Sequence, residues 1–184
     1  PVFYYLFTWN SSTGRFEKSE QMPTDCSMPD GQNVWHFQKY RERSEWEATQ
    51  DLRMVHDPKA GSSSLYTTGK DSFLKSPFLS GKKIKYIQLD YVAQSRNKGQ
   101  LTGQVFWVTD DDLDYDGQKS VRFAVKNDGE PHSYIIPLYV NSRSVSDSIR
   151  RVALRLSDQA GTMITIGSIA IYPYAIPEDL ELFD

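Results

Sequence analysis

The chain has 184 residues, of which 39% are hydrophobic and 13% aromatic, and its formal net charge at pH 7 is −3. This length predicts one domain with a well-buried core, so no covalent or metal staples are required. The acidic balance argues against a nucleic-acid partner, which would need lysine and arginine concentrated against phosphate. The single cysteine, Cys26, excludes an intrachain disulfide and a cysteine-based zinc site.

The N-terminal segment predicts a hairpin followed by a surface loop. Residues 2–9 are apolar, residues 10–14 contain a glycine and are typical of a turn, and residues 15–17 are more polar. Residues 2–9 are too short to span a bilayer and lack the basic flank of a signal peptide. Because the chain begins with Pro1, we interpret it as a processed or excised polypeptide. Prolines and small polar residues in 18–33 predict a loop.

Residues 34–49 predict the clearest helix. Apolar residues at positions 34, 35, 37, 40 and 46 have a loose helical spacing with charges between them. We expect this helix to end before Trp46, because residues 52–55 and 64–68, with a turn between them, predict a strand pair. Residues 1–43 are therefore predicted to form an N-terminal extension, with a hairpin, a loop and a short helix, that packs on the main domain.

The rest of the chain predicts a succession of short strands. They lie at residues 85–93, 103–109, 120–125, 133–138, 151–156 and 163–171, and acidic or glycine-containing turns separate them. Strands in even succession, without helices between them, favour a β-sandwich over a parallel βαβ sheet. The predicted fold class is all-β, with residues 44–172 forming the sandwich and residues 173–184 an acidic tail.

Short motifs within residues 44–172 follow one another in a recognisable order. They are Thr68-Gly69-Lys70-Asp71, then Gln104-Val105-Phe106-Trp107, then Asp128-Gly129 with His132 and Tyr134, then Leu154-Arg155-Leu156. This order resembles the galactose-binding-like jelly-roll domains, which are appended to bacterial polysaccharide-active enzymes and membrane glycosyltransferases. The chain departs from the family pattern where proline is missing after Asp71, where Leu156-Ser157-Asp158 replaces Leu-Asp-Pro, and in residues 1–43, which have no counterpart.

The resemblance implies a jelly-roll β-sandwich that binds glycans, or supports a neighbouring enzyme, without catalysis of its own. The family fold by itself does not decide between these two roles. We further expect a periplasmic or extracellular location.

Aromatic side chains are the candidates for a sugar-binding platform, because a pyranose stacks on flat rings while polar groups fix its hydroxyls. Strand alternation places Phe106 on one face of its strand and Trp107 on the other, and both faces are apolar, so either one can be the core. If Phe106 is in the core, Trp107 lies outside near Tyr91 or Tyr134. The predicted ligand-binding residues are Trp107, Tyr91, Tyr134, Arg122, Asp110 and Tyr115.

Residues 110–117 form an unusually acidic segment, DDDLDYDG. Asp112, Asp114 and Asp116 match the opening of an EF-hand loop, but Phe123 occupies the position of the bidentate glutamate, and a strand follows where a helix should. We expect a solvated acidic hairpin loop. Calcium held by Asp112, Asp114 and Asp116 in another geometry is the alternative, because neighbouring carboxylates repel one another unless neutralised.

The sequence contains no nucleophile elbow, no phosphate-binding glycine loop and no paired histidine spacing, and therefore gives no positive signal for an enzyme. The expected function is a non-catalytic carbohydrate-binding or accessory module of a glycan-synthesis or glycan-degradation system, with a glycan as its partner. The alternative is a structural interaction domain that docks a membrane-embedded or glycosyltransferase partner through residues 2–50. A third hypothesis is a hydrolase or lyase in which scattered carboxylates converge.

Overall fold

The structure, a computed structural model, describes residues 6–10, 15–19, 34–49, 51–57, 62–79, 83–96 and 100–173. The chain divides into two units, Pro1–Gly31 and Gln32–Asp184. In the first unit, strands β1 (Leu6–Asn10) and β2 (Arg15–Ser19) pair antiparallel, which confirms the predicted hairpin. Among the described residues, no helix is both long enough and apolar enough to cross a membrane.

The second unit consists almost entirely of strands. In chain order its elements are β3 (Val34–His36), α1 (Tyr40–Arg43), β4 (Glu47–Ala48), β5 (Leu52–Asp57), β6 (Ser62–Thr67), β7 (Leu74–Lys75), β8 (Ile84–Ser95), β9 (Leu101–Val108), β10 (Ser120–Val125), β11 (Pro131–Pro137), a 3-10 turn (Leu138–Val140), α2 (Ser142–Ser146), β12 (Arg151–Arg155) and β13 (Thr162–Pro173).

These strands form two antiparallel sheets. The five-stranded sheet has the order β10-β9-β12-β7-β4, and the six-stranded sheet has the order β11-β8-β13-β6-β5, with β3 also pairing with β13. Strands that are distant in sequence, such as β8 and β13, are neighbours in the sheet, as expected of a jelly roll rather than of a simple meander. The predicted all-β jelly-roll sandwich is confirmed.

Alternation along the strands builds the core between the sheets. On β8, Ile87 and Leu89 are fully buried, and on β12 so are Val152 and Leu154. Their side chains belong to one hydrophobic cluster that draws on both sheets. Because successive side chains point to opposite faces, the residues between them face away from this core.

Residues 34–49 do not form the predicted helix. Val34–His36 is a strand that pairs with β13, and the helix that follows has only four residues, Tyr40–Arg43. Trp35 and Trp46 are buried and meet edge to face, with ring centroids 5.5 Å apart. The long edge of β13 is shared by β6 and β3, so backbone pairing and indole burial outweigh the helical spacing of the sequence.

The division at Gly31 also corrects the expected domain boundary after residue 43. β3 belongs to the six-stranded sheet, so residues 34–43 are part of the sandwich rather than of an extension. Packing of the N-terminal hairpin on the sandwich stays a prediction. The acidic tail lies outside the described residues, apart from Pro173, which ends β13.

Candidate functional site

Two of the predicted platform residues lie inside the sandwich. Trp107 is fully buried in the core cluster, and its Nε1 donates a hydrogen bond to Asp147 Oδ2 at 3.0 Å. Tyr91 is 3% exposed, its hydroxyl accepts a hydrogen bond from the Lys126 backbone N–H at 3.0 Å, and burial raises its pKa. Neither ring offers a face to a ligand, so the expectation that both lie on a surface platform is wrong.

The structure also separates the other two platform residues. Tyr134 is partly buried on the core side of β11 and packs against Phe123 of the opposite sheet, with centroids 5.5 Å apart. Arg122 is exposed on the opposite, solvent side of β10. The four residues come from strands of two different sheets, and three of them point inward, so they do not form one surface.

The solvent side of the five-stranded sheet carries a distinct group of side chains. On β9, Phe106 is buried but lies outside the core cluster, which settles which face of this strand points inward. Phe106 pairs in register with Ser120 on β10 and with Ala153 on β12. We call this surface the five-strand face; it comprises Phe73, Lys75, Gln104, Phe106, Ser120, Arg122, Arg151 and Arg155.

A hydrogen-bonded polar row crosses the five-strand face. Arg155 Nη2 donates to Gln104 Oε1 at 2.5 Å, and Gln104 Nε2 donates to Ser120 Oγ at 2.8 Å. Both the oxygen and the nitrogen of the Gln104 carboxamide are therefore fixed, and the residue is only 3% exposed. These bonds hold the polar groups in a defined orientation without a ligand.

An aromatic floor lies beneath this row. The rings of Phe73 and Phe106 meet edge to face, with centroids 5.5 Å apart. The Arg155 guanidinium lies 5.6 Å from the Phe106 centroid, within the range of a cation–π contact. Phe106 itself is 8% exposed, so it forms the bottom of the face, while Phe73 is half-buried at its side.

The acidic loop between β9 and β10 is closed around a lysine. The Lys119 ammonium, whose side chain is 3% exposed, donates to Asp112 Oδ2 at 2.8 Å and to the Asp112 carbonyl at 3.2 Å. Asp116 Oδ1 accepts the backbone N–H groups of Gln118 and Lys119. The hydrogen bond from Lys119 is the main cause that lowers the pKa of the Asp112 carboxyl.

This arrangement relieves the repulsion that motivated the calcium hypothesis. Among the described residues, no group of three His, Cys, Asp or Glu side chains could hold a metal ion. Asp112 pairs with Lys119, Asp116 caps a turn, and the Asp114 backbone N–H donates to Asp112 Oδ1 at 3.1 Å. Asp112 and Asp116 are thus engaged by Lys119 and by backbone N–H groups, and calcium binding by Asp112, Asp114 and Asp116 stays a prediction.

Tyr115 and Asp110 lie where this loop meets the five-strand face. The Lys75 ammonium lies 5.6 Å from the centroid of the half-buried Tyr115 ring, and burial raises the pKa of the Tyr115 hydroxyl. Asp110 forms an ion pair with Arg150. Tyr115 and Arg122 thus border the same surface, the five-strand face. Asp110 lies in the loop next to that face, where it is paired with Arg150.

Three further features lie at the edges of the five-strand face. Arg151 Nη2 donates to Glu47 Oε2 at 2.8 Å, and this bond is the main cause that lowers the pKa of Glu47. Phe78 is 68% exposed and lies 5.2 Å from the Arg151 guanidinium. At the other edge, Arg122 lines a shallow depression with Ser120, Val140, Asn141 and Ser142.

Sequence reasoning missed the residues at the centre of this face. Phe106, Gln104 and Arg155 lie in the motifs used for the resemblance, but only as motif members. A usable signal was present: Gln104 shares a strand face with Phe106, and a glutamine is less common in a core than the valine that alternates with it. That signal favours the Phe106 side as the outer one.

Comparisons with known proteins give structural similarity alone. No family model matches the chain, and no curated protein matches it. Among solved structures, a low-affinity xylan-binding module, CBM86, from Roseburia intestinalis is 10% identical, covers 77% of this chain and 95% of its own, and has a TM-score of 0.49. A family 6 module from Clostridium stercorarium in complex with cellobiose is 10% identical, with coverages of 70% and 86% and a TM-score of 0.44.

Another family 6 carbohydrate-binding module is 6% identical, with coverages of 76% and 92% and a TM-score of 0.46. At such identities and TM-scores, these similarities carry no argument about the ligand of this chain.

Proposed function

We propose that this chain is a non-catalytic carbohydrate-binding module that binds a polysaccharide across the five-strand face. The observation that carries the proposal is the combination of an aromatic floor, Phe73 and Phe106, with a hydrogen-bonded row of Arg155, Gln104 and Ser120 on the solvent side of one sheet. Sugar recognition needs both elements, an apolar surface for the ring and polar groups that fix its hydroxyls.

The position of the acidic loop favours this surface over the solvent side of the six-stranded sheet. Tyr115, which lies in this loop with its ring centroid 5.6 Å from the Lys75 ammonium, adds a third ring at the five-strand face. On the other sheet, Tyr86 and Tyr172 stack with centroids 4.5 Å apart, and Gln88 accepts from the Tyr172 hydroxyl and donates to Asp90. Among the described residues, two buried side-chain nitrogens lack a hydrogen-bond partner: Trp46 Nε1 and Arg155 Nε, of which the second lies on the five-strand face.

The polar row supports binding because its side chains are already ordered. Ordering a long side chain on binding costs about 0.5–1.5 kcal/mol, and the bonds among Arg155, Gln104 and Ser120 remove part of that cost in advance. Catalysis would come from an enzyme of the glycan-synthesis or glycan-degradation system that the module serves. Such a role places the chain in the periplasm or outside the cell, where polysaccharides are exposed.

A polysaccharide panel with matched aromatic variants tests the proposal. Affinity electrophoresis on neutral and acidic polysaccharides identifies a ligand, and titration calorimetry then measures its affinity for Tyr115→Ala and Phe73→Ala. We expect each variant to bind several-fold more weakly, because an aromatic contact is worth about 0.5–1.5 kcal/mol beyond its burial. Tyr66→Ala is the control, since Tyr66 is 42% exposed on β6 of the other sheet.

Different outcomes contradict the proposal in different ways. Loss of affinity in Tyr172→Ala, with Tyr115→Ala unchanged, would move the site to the six-stranded sheet. No binding to any polysaccharide, together with a co-purified protein that is lost on deletion of residues 1–31, would support the interaction-domain alternative. Release of sugar products, abolished by one Asp→Asn change, would make the chain an enzyme.

A further inference from the structure

The charges on the five-strand face are unevenly compensated. Four cationic side chains, Lys75, Arg122, Arg151 and Arg155, lie on it, and Glu47 is paired with Arg151 at 2.8 Å. The whole chain nevertheless has a net charge of −3. A local excess of positive charge on an acidic protein attracts anions to that surface.

Arg155 uses only part of its hydrogen-bonding capacity within the protein. A guanidinium carries five N–H donors, and Arg155 uses Nη2 on the neutral carboxamide of Gln104 rather than on a carboxylate. Its Nε is buried and has no hydrogen-bond partner among the described residues. A buried, unmatched donor on a cation is costly, and an acidic oxygen brought by a ligand would relieve that cost once the Arg155 side chain shifts enough to expose Nε.

Arg122 is a second cation on the five-strand face, in addition to Arg155. It is exposed on β10, and within the described part of the chain no carboxylate lies within ion-pair distance of it. Arg122 and Arg155 both pair in register with Gln104, from opposite sides. Two inter-strand spacings place their backbones about 10 Å apart on the same face.

The carboxylates of the acidic loop do not neutralise the positive charges of Arg122 and Arg155. Asp110 is bound to Arg150, and Asp112 to Lys119. Both arginines pair in register with Gln104. Gln104 lies four residues before Val108, the last residue of β9, after which the loop begins. At the rise of a strand this separation is about 13 Å, more than a Debye length at physiological salt.

We infer that the five-strand face takes an acidic polysaccharide, with Arg155 and Arg122 holding the carboxylate, sulfate or phosphate groups of the chain. This inference rests on the proposed carbohydrate-binding function and specifies its substrate class. The planar guanidinium matches such groups with two parallel hydrogen bonds, which a lysine ammonium cannot reproduce. Phe73 and Tyr115 receive the sugar rings, above the buried floor that Phe106 forms.

The test compares polymers that differ in charge but share a backbone. Polygalacturonate against its fully methyl-esterified form isolates the carboxylate, and dextran sulfate against dextran isolates the sulfate. We expect at least one acidic polymer to bind about tenfold more tightly than its neutral counterpart, as expected for hydrogen bonds to charged groups. Its affinity should also fall as NaCl is raised, because exposed charges are screened.

Variants assign the effect to the two arginines. We expect Arg122→Ala to lose about tenfold in affinity for the acidic polymer and to lose clearly less affinity for its neutral counterpart. Arg155→Lys keeps the charge but removes the planar fork and its bond to Gln104, and should lose several-fold in affinity for the acidic polymer; its thermal midpoint, measured alongside, separates this loss from a change in stability. Arg53→Ala is the matched control, because Arg53 is exposed on β5 of the other sheet.

The outcomes separate this inference from the proposed function. Equal affinity for acidic and neutral polymers, still sensitive to Tyr115→Ala, overturns the acidic specificity and keeps the carbohydrate-binding function. Arg122-dependent binding of a single-stranded oligonucleotide, as tight as that of the acidic polymer, overturns the inference in favour of a general polyanion site. Failure of every polysaccharide to bind overturns both.

Discussion

Substitution of Trp107 separates a core residue from a ligand-binding residue. The side chain is fully buried, and its Nε1 donates to Asp147. Trp107→Ala removes a whole indole from a packed core, which costs about 3–5 kcal/mol, and the lost hydrogen bond adds about 1 kcal/mol. Asp147 is only partly buried, so its carboxylate can reach water and adds little to this cost. We expect a total loss of about 4–6 kcal/mol in the free energy of unfolding.

Equilibrium unfolding in urea, followed by circular dichroism, measures this loss. In a domain of this size, each kcal/mol lowers the thermal midpoint by about 2–4 °C, so the midpoint should fall by roughly 8–24 °C. Phe78→Ala is the control, because Phe78 is 68% exposed, and its removal should change stability by less than about 1 kcal/mol. The reasoning is refuted if Trp107→Ala unfolds at the wild-type midpoint and loses only its affinity for polysaccharide.

Four further predictions concern the interior of the sandwich and the acidic loop. Gly103→Ala should destabilise the protein by about 1–3 kcal/mol in urea unfolding, because the added Cβ would lie 2.4 Å from Cζ of the core residue Phe123. Lys119→Met should raise amide hydrogen exchange in residues 110–118, because it leaves Asp112 and Asp116 without their ammonium partner; unchanged exchange would contradict this role. The pKa of Asp112 is lowered from 3.8 in the folded state, so the stability it adds is present above that value and lost as pH falls through the lowered pKa. The stability gap between wild type and Asp112→Asn should therefore close on acidification, and a constant gap from pH 7 to pH 2 would argue against the Lys119 bond. EDTA should leave the thermal midpoint unchanged, and a drop that calcium restores would support the calcium hypothesis.

Local sequence patterns were sufficient where a strand is long enough to show alternation. Residues 120–125 were predicted as a strand and form β10, because Val121, Phe123 and Val125 alternate with Arg122 and the other exposed positions. The two-residue strands β4 and β7 have no period to detect, and they exist because their backbones pair with neighbours in the five-stranded sheet. β3 was missed for a related reason, since its partner β13 is more than 100 residues away.

The candidate site could be predicted only in part. Arg122 and Tyr115 were among the predicted ligand-binding residues, and both border the five-strand face. Gln104 and Arg155 could not be joined by sequence, because their hydrogen bond forms across strands that are 51 residues apart. Likewise, the acidic loop showed its repulsive charges, but its ammonium partner is buried only once the loop closes on Lys119.

The sequence by itself determined that Phe106 and Trp107 lie on opposite sides of β9, because a strand has a period of two. It did not determine which side faces inward, because both sides of that strand are apolar. The tertiary structure decided this by placing Val152 of β12 beside Trp107, inside the sandwich, and Ser120 of β10 beside Phe106, outside it. Burial depends on what the neighbouring strands bring to each face, and those neighbours are set by sheet pairing between segments that are distant along the chain.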